Sequence, residues 1–244
     1  MLVKLEKPAI LSKGVELISE LVTEVKIKVN DYGINIIAID PANVAMVGFK
    51  LPKSAFSEFE IKEAGGVILG VNLDNFKKIL KRCSSSSALI LEKKENLLNI
   101  QIQDRIKRNF SLALIEIDSE DKELPDLEFS SKVELNSIDL IDSIEDCAVV
   151  DDACSFIISD GKFIIEAKGL NSARSEFNGD EAKIEAENCK ARYSLEYLQK
   201  FMKGAKLAEK IILQFATDHP LRIEIKNDGM ELRFILAPRV ETED

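Results

Sequence analysis

The chain has no tryptophan, one histidine and four cysteines among its 244 residues. His219 stands in a turn-like DHPL segment, and a hydrolytic triad would need a nucleophile presented to this one imidazole; no motif supplies it. The cysteines, Cys83, Cys147, Cys154 and Cys189, are widely spaced, make no Cys-x-x-Cys pair and have no histidine beside them. That excludes the common zinc frameworks and reads as buried free thiols. A Gly-x-x-x-x-Gly-Lys-Ser/Thr phosphate loop is missing, which excludes nucleotide hydrolysis by that route. Apolar runs fall short of the roughly 20 residues that span a bilayer, and MLVKLEKPAI lacks the apolar core of a secretory signal. We therefore expect an intracellular protein with no enzymatic activity, no metal, no cofactor and no membrane partner. Basic residues are also in deficit, 33 against 43 acidic ones, for a formal net charge of -10. A protein that coats nucleic acid with its whole surface is excluded; a single basic face is not.

Hydrophobic residues make up 45% and charged residues 31% of the chain, a composition of folded, globular proteins of one large or two modest domains. Against this acidic background NLDNFKKILKRC, residues 72–83, concentrates positive charge. Phe76, Ile79, Leu80 and Cys83 share one helical face, with Lys78, Lys81 and Arg82 opposite and Lys77 on the flank. ALILEKKENLLNIQIQ follows and reads as two strands around a Lys-Lys-Glu-Asn turn. The pattern recurs in SLEYLQKFMKGAKLAEKIILQF: Leu73 corresponds to Leu195, Phe76 to Leu198, Ile79 to Phe201, Lys78 to Lys200 and Lys81 to Lys203. Upstream, ILSKGVELISELV and LNSIDLIDSIEDC form another matched pair, each leading into a strand–turn–strand with glycine in the turn, Gly33 and Gly161. Four helix-plus-hairpin units grouped two by two predict an α+β chain of two similar domains. IEIDSEDKELPDLEFSS, acidic and without a helical apolar face, reads as an extended linker. The boundaries expected are a first domain over 1–115, a connecting loop over 116–131 and a second domain over 132–244. Asp151-Asp152 reads as an acidic surface loop rather than a magnesium site.

GINIIAIDPANVAMVGFKLP, GVNLDNFKKILKR, ELPDL in the linker and the C-terminal FILAPRVE together resemble the proliferating cell nuclear antigen family, the DNA sliding clamps, in its archaeal form. The resemblance implies a DNA clamp fold in which each domain packs two lumen-facing helices on antiparallel sheets and three subunits close into a ring. Such a ring encircles double-stranded DNA without reading sequence and tethers DNA polymerase as a processivity factor, in the cytoplasm and associated with the nucleoid. Duplex DNA carries one negative charge per ~1.7 Å of axis, so a lumen of lysines attracts phosphates in any register. The expected DNA contacts are Lys13, Lys77, Lys78, Lys81, Lys200, Lys203 and Lys206.

The resemblance also implies two protein interfaces. At the subunit joint a strand carrying Phe110 and Leu112 would pair with one carrying Ala173, Ser175 and Phe177 of the next copy, with Arg82 and Arg108 facing Asp142 and Asp146. The helix NSIDLIDSIEDC bears Asp139, Asp142, Glu145 and Asp146 and no basic residue, and Glu145 finds no counterpart in that picture. Partner enzymes, namely polymerase, clamp loader, flap endonuclease and DNA ligase, would dock a short peptide with apolar and aromatic anchors beside the linker. The matching positions are Ile39, Val44, Met46, Leu124, Pro125, Pro220, Ile235, Ala237 and Pro238, with Asn43 tuning partner choice. Two other readings stay open: one subunit of a heterotrimeric clamp, and a checkpoint-type clamp with the same fold and different partners.

Overall fold

The computed structural model describes residues 1–227 and 229–240. The last four residues of the expected second domain, and Glu241 at the end of FILAPRVE, lie outside them. The chain divides into two compact units. One comprises Met1–Pro41, Val47–Leu124 and a short stretch ending at Leu232; the other comprises Ala42–Met46, Pro125–Asn227 and the chain from Arg233 on.

Both halves of the sequence follow one element order. The first runs β1 (Leu2–Leu5), α1 (Ala9–Ile18), β2 (Glu24–Asn30), β3 (Gly33–Ile39), β4 (Ala45–Pro52), β5 (Glu58–Glu60), β6 (Val67–Asn72), α2 (Leu73–Leu80), β7 (Ala88–Lys94), β8 (Leu97–Gln103) and β9 (Lys107–Ala113). The second runs β10 (Ser131–Asn136), α3 (Ser137–Ala148), β11 (Ala153–Ser159), β12 (Lys162–Lys168), β13 (Ser172–Phe177), β14 (Ala182–Ala186), β15 (Cys189–Ser194), α4 (Leu195–Ala205), β16 (Lys210–Phe215), β17 (Leu221–Asn227) and β18 (Met230–Leu236). Apart from a 3-10 turn at Lys53–Ala55 in the first, the second repeats the first strand for strand and α-helix for α-helix, so β9 is the counterpart of β18 and α3 of α1.

Hydrogen-bonded strands run in the orders β5-β1-β7-β8-β9, β4-β3-β2-β6, β14-β10-β16-β17-β18 and β13-β12-β11-β15. Alternation of buried and open residues along β2, β8 and β17 follows the two-residue strand period. The β7–β8 turn is tighter than the sequence suggests: Lys94 pairs with Leu97, Glu95 takes φ +52, and the lysines expected in the turn extend β7.

Local chemistry sets the helix ends. The Asn72 side-chain oxygen accepts from the Asn75 N–H at 3.1 Å, Asp74 lies in the first turn of α2 and Lys77 and Lys78 in its last, complementing the helix dipole. The helix stops at Leu80, which leaves Cys83 beyond it and half-buried, whereas Cys147, Cys154 and Cys189 are buried as expected. Leu73, Phe76 and Leu80 bury the apolar face, each burial stabilising by about 1.5–3 kcal/mol. In the second unit the core centres on Phe156, with Phe163, Tyr193 and Phe215 edge-on at 5.5, 5.4 and 5.9 Å between ring centroids.

Candidate functional site

Burial of the apolar stripes turns the opposite faces of the helices to solvent, and most of the lysines they carry are neighboured by acids. Glu16 on α1 accepts from Lys13 at 2.8 Å and pairs with Lys81 at 3.1 Å, so one carboxylate bridges the two helices of the first unit and is held below its usual range, Lys13 contributing most. Lys77 donates to the Ser19 hydroxyl at 3.0 Å and lies 3.4 Å from Asp74. On α4, Lys200 pairs with Glu196 at 2.9 Å and stands 5.0 Å from the centre of the Tyr197 ring. Lys78, exposed on α2, and Lys206, exposed at the end of α4, make no ion pair among the described residues. Lys203 is exposed in the last turn of α4.

Helix α3 differs in kind. It buries Leu140, Ile141, Ile144 and Cys147 but exposes Asp142, Glu145 and Asp146, with no ion pair to any of them among the described residues. No basic residue lies in its last turn, so Glu145 and Asp146 sit against the negative end of the helix dipole. Exposed Ile138 and Val149 flank the acids, 60% and 86% open.

Two sheet edges are distinctive. Among the described residues strand β9 pairs only with β8, and β13 only with β12. Phe110 lies opposite Ile100, Leu112 opposite Leu98, and Arg108 opposite Ile102, so these three share the core face of their sheet. Likewise Phe177 lies opposite Phe163, Ser175 opposite Ile165 and Ala173 opposite Ala167. Each core face therefore continues to an outer edge whose N–H and C=O groups face no further strand among the described residues. The counterpart of β9 in the second unit is treated differently: just past β18, the Ala237 N–H donates to the Val44 carbonyl at 2.9 Å. Strand β14, Ala182–Ala186, is a further outer strand, of five residues, and the remaining edges are shorter or occupied. Strand β5 has three residues, β6 receives Ile115 N–H at the Gly70 carbonyl, and β15 receives the Asp218 and Arg239 N–H groups. Helix α2 packs on β9 and α3 on β13.

Arg108 is engaged within its own unit. Its guanidinium pairs with Asp104, whose carboxylate also accepts the Ser87 and Ser84 hydroxyls and is held below its usual range, Ser87 contributing most. Arg82, exposed just past α2, makes no ion pair among the described residues.

The linker lacks regular structure from Leu114 to Ser130, yet it is fastened to the first unit. The Ile115 carbonyl oxygen would stand 2.0 Å from a Cβ on Gly70, and Leu124 Cδ1 2.6 Å from one on Gly48, so glycine at both positions admits the linker against the sheet. Lys26 donates to the Ser119 carbonyl, and Lys28 pairs with Asp121 at 2.8 Å. A cavity of about 200 Å³ lies beneath this strap, its walls including Lys26, Asn35, Ile37, Ile39 and Asp121. The fastening lysines were not singled out in the sequence; their alternation as Lys26 and Lys28 on one face of β2 is the signal that marks them. In the second unit Phe129 meets the His219 ring edge-on at 5.6 Å and has the Arg222 guanidinium 4.6 Å from its centre.

Two family models cover this chain: the proliferating cell nuclear antigen N-terminal domain over residues 1–123 and its C-terminal domain over residues 123–240. The chain belongs to the proliferating cell nuclear antigen family. It is 37% identical over 231 residues to the DNA polymerase sliding clamp of Thermococcus onnurineus, with 91% of this chain and 92% of the relative covered. It is 38% identical, with the same coverage, to the DNA polymerase sliding clamp 1 of Thermococcus kodakarensis. The crystal structure of Proliferating Cellular Nuclear Antigen from Entamoeba histolytica shares the fold, with a TM-score of 0.89, 24% identity and 98% of each chain covered.

The peptide-contact positions that the family resemblance implies are distributed over both units. Ile39 and Leu124 belong to the first and are half-buried. In the second, Val44, Met46, Pro220, Ala237 and Pro238 are half-buried, Pro125 is exposed, and Asn43 is exposed at φ +57. Ile235 is 6% exposed, between buried Phe234 and Leu236, and contributes to the packing of β18. Among the described residues no group of three or more His, Cys, Asp or Glu side chains is arranged to hold a metal ion, and no helix is long and apolar enough to cross a membrane.

Proposed function

We propose that this chain is a DNA polymerase sliding clamp: copies of it close into a three-membered ring around duplex DNA and hold the polymerase on its template as a processivity factor. The observation that carries this reading is the pair of uncovered edges, β9 and β13, at which core faces run out to open backbone, in a chain of this family whose helices α1, α2 and α4 present lysines. Strand pairing between β9 of one copy and β13 of the next extends both sheets and removes exposed edges. It would bring α2, packed on β9, beside α3, packed on β13, and so bring Arg82 within reach of Asp142 and Asp146 of the neighbour. Closure of three copies presents the lysines to phosphate from all sides, and hydrated ammonium groups on long stems hold DNA without fixing a register.

In this reading the domains are 1–115 and 132–244 joined by the loop 116–131, no chemical step is assigned to the chain, and ring opening falls to a separate clamp loader. Polymerase, flap endonuclease and ligase dock peptides on the positions named above; two or three anchors at about 1.5–3 kcal/mol each, less ordering costs, give exchangeable binding. Clamp loaded on nicked circular duplex should be retained through gel filtration and lost when the circle is linearised. Equal loss from circle and line would contradict encirclement.

A further inference from the structure

The Asp151-Asp152 pair, which the sequence leaves as an unassigned acidic loop, is occupied. Asp151 accepts from Arg192 on β15 at 2.9 Å, and Asp152 accepts from Arg239 at 2.6 Å. Asp152 itself is fixed by its backbone: its N–H donates to the Asp151 carboxylate at 2.8 Å and its carbonyl accepts the Leu195 N–H at the start of α4 at 2.9 Å. The Arg239 main chain is fixed too, its N–H donating to the Arg192 carbonyl at 2.7 Å. Two residues earlier, Ala237 N–H is spent on Val44. Pro238, between them, has no N–H to anchor itself. The segment leaving β18 is thus stretched between two backbone bonds, with one side-chain ion pair as its outer clasp.

From this geometry we infer that Arg239, through Asp152, is a positioning residue for partner-peptide binding, holding Ala237 and Pro238 in the conformation the peptide meets. The inference rests on the peptide-contact reading of those two residues and names what sets their position. Both members of the pair are largely open to solvent, 47% and 71% at the side chain. Such a pair contributes little to global stability, so its effect falls on the local order of the segment.

The test uses the full-length chain and a synthetic clamp-binding peptide with one aliphatic and two aromatic anchors on a helical turn. Arg239→Ala and Asp152→Ala should each weaken peptide binding about five-fold, the change equivalent to ~1 kcal/mol. The double variant should be no weaker than either single one, Arg239→Lys should restore most of the affinity, and the thermal midpoint should stay unchanged. Hydrogen exchange at the Ala237 amide should quicken in R239A and D152A and stay slow in R239K. Peptide affinity and Ala237 exchange that are both unchanged in R239A would overturn the inference alone. No binding by the wild-type chain would overturn the peptide-site reading and this inference with it.

Discussion

Helices α2 and α3 carry opposite charge and solve their own electrostatics differently. On α2 the acid comes first and the lysines last, each sign at the end of the dipole that favours it, and an asparagine caps the start. On α3, Glu145 and Asp146 crowd the negative end with no basic residue in the last turn, and the Asn136 side chain makes no capping bond. A helix arranged like α2 is complete within its own unit. A helix arranged like α3 carries a local cost that a cation from elsewhere would offset, and Arg82 is an exposed cation that makes no ion pair among the described residues. In the proposed ring, charge on these helices would serve two purposes, phosphate on α2 and a neighbouring copy on α3, and a clamp could then carry an acidic helix without repelling its DNA.

Reversing the basic faces tests the first purpose and should have the largest effect. Lys78→Glu, Lys81→Glu and Lys203→Glu together should shorten retention on circular DNA at least ten-fold, and the salt slope of DNA affinity should fall by about 0.9 for each lost phosphate contact. Unchanged retention and slope would detach these lysines from DNA. Among single changes, Lys78→Ala should cost more than Lys13→Ala, because Lys13 is already committed to Glu16.

Reversing α3 tests the second purpose. Asp142→Arg with Asp146→Arg should weaken self-association about ten-fold, measured by sedimentation at falling concentration, and Arg82→Glu in the same chain should restore part of it; individual exposed pairs are worth about 0–1 kcal/mol. If the α3 variant associates as wild type does, the acids serve something other than the joint. A smaller effect of opposite sign is expected from Glu16→Gln, which releases Lys13 and Lys81 from their shared carboxylate. DNA binding should tighten two- to three-fold with a steeper salt slope, and looser binding would show that Glu16 is needed to position those lysines.

The smallest effect concerns Asp104. Its carboxyl is held below the usual range by the Ser87 hydroxyl and then by Arg108, so the folded chain releases that proton more readily than the unfolded one. The stabilisation is complete above the usual carboxylate range and is lost as pH falls through the depressed value. Protection of the β8–β9 hairpin against hydrogen exchange, with rates corrected for their intrinsic pH dependence, should therefore fall below about pH 4 in the wild type. In Asp104→Asn that protection should be lower at neutral pH and flat across the window.

Much of this was legible in the sequence because it is periodic. The spacing of Phe76, Ile79 and Leu80 locates α2, the recurrence of Phe76 and Ile79 as Leu198 and Phe201 locates α4, and together they predict the duplicated architecture. What was not legible depends on residues far apart in the chain. Arg108 reads as an outward-facing cation until the Ser84–Ser87 loop and Asp104 are brought around it. The linker reads as a spacer until Gly48 and Gly70 show where Leu124 and Ile115 rest against the sheet. Asp151-Asp152 reads as a surface loop until two arginines reach it, one of them from the far end of the chain.

Whether β9 and β13 join copies of this chain into a closed ring is decided by the mass of the purified protein in solution, measured by light scattering at low and high salt. One species near three times the 27.3 kDa of a single chain is expected, with the trimer weakened by salt as the Arg82 pairs with Asp142 and Asp146 are screened. A monomer at micromolar concentration and low salt would contradict it.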